Sequence, residues 1–432
     1  MRIALPYLDR VLEADLSWGR PLPPLDISEA PPLKDVDAAL YAALEAPLGL
    51  NAPLRETLPD RGEVLILVSD SFRQTRADRF LPPLIRYLEE HGVTGDRIAF
   101  LFATGTHRPP TDGERRAILG ESVYARFRDR VYDHDPQNPA GLVNTGTTSR
   151  GTPVYLNRRA CEAAAVIVTG TVVFHYFGGF GGGRKSILPG IAGKATIAAN
   201  HALNLDPIAD RLNPDVAIGR TRGNPVAEDM LEGSQFRRDL FLINTVLNRN
   251  GQIAGLFAGD LAAAHGAACD LARSLYGAPL RERADLVIAS AGGAKNFVQS
   301  HKALYNAWQA LNPGGVIILA APAPEGLGGN RFAEWLALGT RDRIIAALRA
   351  RAEINGQTAL STVEKAKNTL FLTEMTDADV HMLGGRKSAS LEDALAEARR
   401  RLAANGVTAP ACILMPSAGY TVPIEAGATP EK

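Results

Sequence analysis

Of the protein side chains, histidine titrates nearest to neutral pH, and lysine offers an amine that can carry a covalent adduct. Four such residues stand in company that suggests chemistry: His107, His175, Lys185 and His201. His107 lies in the turn Thr104-Gly105-Thr106-His107-Arg108-Pro109, at the end of the run 97–107. His175 follows the apolar run 164–172 and sits among Phe174, Tyr176 and Phe177. Aromatic surroundings of that kind tune an imidazole for proton transfer, although a lone histidine there is more often a hydrogen-bonded core residue. Lys185 belongs to the stretch 178–190, whose glycines, Gly182 and Gly183 among them, let backbone N–H groups approach an anion closely. A lysine beside such a loop pairs with phosphate or serves as a nucleophile. The Walker A spacing fails, because Arg184 separates Gly183 from Lys185 and Pro189-Gly190 would break the helix that should follow.

His201, on a helix predicted over 194–204, is of a type that ligates metals, but one histidine does not define a site. Arg73, shortly after Asp70, and Gln299 with Lys302 in a later loop offer donors suited to a carboxylate. From residue types alone, a His-dependent hydrolase or lyase and a non-catalytic nucleotide- or phosphate-binding protein both remain open.

The elements that must position these residues are short apolar runs, each ending in a Gly-, Ser- or Thr-containing loop before a helical pattern. This is how buried parallel strands with crossover helices read. The runs are 64–70, 97–107, 164–172, 284–293 and 315–326, and amphipathic spacing predicts helices over 76–92 and 395–406. The fold class is therefore α/β, with mainly parallel sheets flanked by helices. Ligands in open α/β sheets bind beyond the carboxyl ends of strands, where the candidate residues fall. An Ala-rich helical stretch at 258–283 leads into a new set of strand-loop-helix units and marks the expected boundary. The sequence predicts an N-terminal domain over 1–270, with 411–432 as a candidate return segment, a C-terminal domain over 271–410, and the active site in the cleft between them. The start of the chain reads as a hairpin, and 20–35 as a Pro-rich surface connection.

Lys+Arg and Asp+Glu both number 47, so no global positive field favours nucleic acid or an anionic membrane. Cys161, Cys269 and Cys412 match no CxxC spacing and are too few for a disulfide framework. With no export signal legible at the N-terminus and no apolar run near the length of a membrane span, a cytoplasmic location is expected.

Taken together, five features resemble the nickel-dependent lactate racemase family: D-x-x-R at 70–73, G-T-H-R-P at 105–109, the stretch G-G-R-K-S-I-L-P-G-I-A-G after a histidine, a following helical histidine, and Q-x-x-K at 299–302. They occur in the family's order across about half the chain. The resemblance implies that Lys185 tethers a nickel pincer nucleotide, that His201 ligates the nickel and that Asp70 contacts the cofactor, which Gly182 and Gly183 help to cradle. It implies His107 and His175 as the acid/base pair, and Arg73, Gln299 and Lys302 as residues that orient the substrate. The implied reaction inverts C2 of a 2-hydroxy acid by proton-coupled hydride transfer through a transient 2-keto acid. Cofactor-biosynthesis proteins are the implied partners. Val298, the absence of a tryptophan in 353–357, and His301 depart from the lactate-specific pattern, so the resemblance leaves the acid open between lactate, a larger acid and a sugar acid.

Overall fold

The structure is a computed structural model that describes residues 2–237 and 239–425. The described residues divide into two compact units, one drawn from 29–204 and 214–275, the other from 2–28, 205–213 and 276–425.

The first unit is built on a six-stranded sheet of β1 (Val64–Ser69), β2 (Ile98–Ala103), β3 (Val131–Asp133), β4 (Ala165–Thr171), β5 (Leu240–Leu247) and β6 (Ile253–Gly259). Their spatial order is β6-β5-β4-β1-β2-β3. All neighbours run parallel except the edge pair β5–β6. Val64 to Val68 are wholly buried, as a strand covered on both faces requires. α1 (Ala77–Glu90) buries Phe80, Leu81, Leu84, Tyr87 and Leu88, the i, i+3, i+4 stripe of an amphipathic helix laid on a sheet. Register matters most for the site. Val64 pairs with Ile98 and Ser69 with Ala103, so β1 and β2 end level and their following loops emerge side by side.

The second unit has its own six-stranded sheet, with every neighbouring pair parallel. In spatial order its strands are Arg386–Lys387, Thr369–Leu372, Leu311–Ala320, Ala284–Ser290, Ala411–Met415 and Arg20–Pro21. The N-terminal hairpin, Arg2–Tyr7 with Arg10–Asp15, buries Ile3, Leu5 and Tyr7 in one core with Leu286, Ile288 and Leu370. Both chain ends therefore differ from the expected division at 270. The start of the chain packs with the later strands. Of the 411–432 segment, considered as a return to the first domain, residues 426–432 lie outside the described residues, and the rest instead pairs Cys412 with Leu286 and Val422 with Gly277. Hydrogen bonding to non-local strands overrides proximity in sequence here. Among the described residues no helix is long and apolar enough to cross a membrane.

Candidate active site

Because β1 and β2 end level, Asp70 and His107 meet. The buried carboxylate accepts the Phe72 N–H at 3.0 Å through Oδ1, and its Oδ2 stands 2.7 Å from His107 Nδ1. His107 is anchored by its own N–H to the Thr104 carbonyl, and its ring tilts over Phe72. Its side chain is 42% exposed, against 4% for Asp70. With Nδ1–H donated to the carboxylate, Nε2 becomes the outward proton acceptor, the arrangement of an oriented acid/base histidine. The same turn is tied to the glycine-rich stretch, since Gly105 N–H donates to the Gly190 carbonyl at 2.8 Å.

The second cluster grows from the glycine-rich stretch itself. A short antiparallel pairing sets Phe174 opposite Phe180 and His175 opposite Gly179. His175 Nδ1 accepts the Gly178 N–H at 3.2 Å, and Nε2 lies 2.9 Å from Lys185 Nζ. Lys185 Nζ also stands 4.7 Å from the centroid of the Phe177 ring, and the His201 ring lies 4.8 Å from the same ring between centroids. One phenylalanine thus gathers His175, Lys185 and His201. His201 sits on α2 (Lys194–Ala202) and is 5% exposed. Burial, and then the charge of Lys185, push its imidazole down to about 3, so it is neutral at physiological pH. Its neighbour Asn200 fixes α2 by donating to Asp229, on α3 (Pro225–Ser234), and to the Val226 carbonyl.

The glycines serve close packing. Gly182 has φ +68°, and a Cβ there would lie 2.8 Å from Val172 and 2.9 Å from the Asn244 side chain. Gly183 (φ +51°) already donates its N–H to Asn244 Oδ1 at 3.0 Å. Arg73 lies on the exposed turn after β1, with its backbone N–H bonded to the Asp70 carbonyl. Arg76 is engaged with Asp78 and the Gly251 carbonyl.

In the second unit, Gln299 and Lys302 are exposed one turn apart on the helix α5 (Phe297–Gln309), whose N-terminus Asn296 caps. The Gln299 side-chain oxygen accepts the Lys295 N–H. His301 turns the other way and is 1% exposed, so burial pushes it to about 3. Gln357, in the segment where a tryptophan was expected, is likewise 1% exposed. Asn244 escaped the sequence reading and left one signal, a polar residue in the apolar run 240–247. Phe177 reads in the sequence only as part of the aromatic surroundings of His175, with no sign that it also meets Lys185 and His201.

A mainly parallel α/β sheet whose loops bring together an Asp–His pair and a His–Lys–His cluster has the equipment of an acid/base enzyme with a lysine for covalent attachment. The lactate racemase N-terminal domain model matches residues 9–211, and the lactate racemase C-terminal domain model matches 280–410. Lactate racemase from Lactiplantibacillus plantarum is 34% identical over 300 residues, 68% of each chain. That from Thermoanaerobacterium thermosaccharolyticum is 32% identical over 296 residues, 68% of this chain and 67% of that one. The lactate racemase apoprotein structure from T. thermosaccharolyticum superposes with a TM-score of 0.87 at 26% identity, covering 98% of this chain and all of that one. A Thermotoga maritima crystal structure shares the fold alone, with a TM-score of 0.66 at 18% identity over 92% of this chain and all of that one. The chain belongs to the lactate racemase family, whose members are isomerases.

Proposed function

We propose that this protein inverts C2 of a 2-hydroxy acid, using a nickel pincer nucleotide attached to Lys185. The observation that carries the reading is the cluster in which Lys185 Nζ lies 2.9 Å from His175 Nε2 and His201 shares the Phe177 ring with it. The donor set fits such a group. A nickel ligand must offer an unprotonated nitrogen, and burial keeps His201 neutral. Among the described residues no three His, Cys, Asp or Glu side chains gather as a metal cage, and in this reading the cofactor brings ligands of its own. When bound, the nucleotide supplies an acceptor for the C2 hydride.

The chain's own residues supply the rest. Asp70 holds His107 with Nε2 outward, ready to take or return the 2-hydroxyl proton. His175 is the second such residue, since inversion in both directions requires proton transfer on both faces of the substrate. Arg73, Gln299 and Lys302 orient the substrate carboxylate and oxygens by charge-assisted hydrogen bonds. Gly182 and Gly183 let the turn before Lys185 pack onto β4 and β5, and Asp70 would also contact the cofactor. The departures at Val298, in 353–357 and at His301 leave the acid open between lactate, larger acids and sugar acids.

The test is a panel of enantiopure 2-hydroxy and aldonic acids, resolved by chiral chromatography. The protein is co-produced with nickel and the cofactor-biosynthesis proteins that the reading names as partners. Inversion of at least one acid in both directions, with C2 deuterium retained, is expected; no inversion across the panel contradicts the reading.

A further inference from the structure

The residue before Lys185 is a guanidinium that is 4% exposed and has no carboxylate partner among the described residues. Burial lowers Arg184 to about 10, which leaves it charged. Burying a cation without an anion is unfavourable unless its N–H groups are well used. One terminal nitrogen donates to the Gly178 carbonyl at 2.8 Å, and the other meets His265 Nδ1 at 3.1 Å. His265, on α4 (Ala263–Tyr276), directs Nε2 at the Gly181 carbonyl, 2.9 Å away.

A guanidinium only donates and a carbonyl only accepts, so a single species satisfies these two contacts. It is neutral imidazole with the proton on Nε2 and the lone pair on Nδ1. Cys269 Sγ, 3.5 Å from Nε2, is a further, weaker neighbour. Burial, and then the Arg184 charge, push His265 to about 3 and keep that species at physiological pH. The same ring occupies the place of a residue-183 Cβ, which would fall 2.6 Å from its Cδ2. Arg184 and His265 therefore grip the carbonyls of Gly178 and Gly181, on the stretch that runs from His175 to Lys185.

We infer that Arg184 and His265 form a latch that sets where the Lys185 amine stands, with His265 a positioning residue acting through Arg184. Its importance for turnover rests on the reading of Lys185 as the attachment point. The placement of the amine does not.

The full chain, produced without cofactor, is acetylated with an amine-selective ester. Labelling of Lys185 is then compared by peptide mass with that of exposed Lys194, from neutral to alkaline pH. His265→Leu removes the acceptor for Arg184. Arg184→Lys keeps a cation whose single ammonium replaces the two-pronged guanidinium. Each is expected to raise the Lys185-to-Lys194 labelling ratio about threefold or more, as local opening exposes the amine. His265→Asn, which offers Arg184 an amide oxygen, stays near the wild-type ratio. A wild-type ratio in folded Arg184→Lys overturns the latch, whether or not His265→Leu folds. Failure of the attachment reading shows separately, as no added mass on Lys185 in wild-type protein co-produced with nickel and the biosynthesis proteins.

Discussion

The Asp70–His107 corner and the Lys185 turn lie on loops of the same sheet but are built on opposite plans. At the corner, two short loops leave level strands and meet through one hydrogen bond, and the histidine keeps 42% of its side chain exposed. At the turn, the backbone itself is held from several sides: Asn244 takes the Gly183 N–H, Ser186 donates to the Thr169 carbonyl, and Ser234 donates to the Arg184 carbonyl. Under the proposed function, the difference is a division of labour. A residue that trades protons with an incoming acid needs access and an orienting partner. A residue that carries a permanent attachment needs a fixed origin.

The largest effect that can break this comparison is His107→Ala. Loss of an acid/base residue lowers kcat by about 10²- to 10⁴-fold. Because the corner is separate from the turn in role, added mass on Lys185 remains at the wild-type level. An equal loss of attachment and turnover would show that the two regions are one device. Asp70→Asn sharpens the point. Loss of the charged partner lets the His107 ring take the wrong tautomer, and a fall of about 10- to 100-fold in kcat, with attachment intact, is expected. Unchanged turnover would leave Asp70 only its proposed role toward the cofactor.

The smallest effect concerns stability. His201 and His265 are both pushed to about 3 from an ordinary value of 6.5, chiefly by burial. The unfolded chain binds protons at these sites below about pH 6.5, while the folded chain does not until about pH 3. Their contribution to stability is therefore intact above the unfolded value and is lost progressively as pH falls between the two. Melting temperatures followed by circular dichroism should decline over that window, and His265→Asn should flatten the decline. An identical slope in the variant would remove His265 from the account.

Much of this was legible in the sequence, for reasons that differ by region. Runs such as 64–70 and 164–172 declare buried strands because a strand covered on both faces admits little but apolar residues. The glycine-rich stretch, Lys185 and the histidines stand out by type, and it is the family resemblance that joins them into one expected site. The Asp70–His107 bond was not legible, since it depends on the register of β1 against β2, which no local pattern encodes. Nor was His265, about eighty residues beyond the turn it holds. The first 28 residues were assigned to the wrong neighbours for the same reason: Arg20 pairs with Ala411, across nearly the whole chain.

The central claim is that Lys185 carries the group on which inversion depends, and peptide mass mapping with metal analysis tests it most directly. Protein co-produced with nickel and the cofactor-biosynthesis proteins should show one added mass, confined to the Lys185 peptide, with nickel in matching amount, and Lys185→Ala should lose both. Inversion of a 2-hydroxy acid by protein with unmodified Lys185 and no bound nickel would contradict the account.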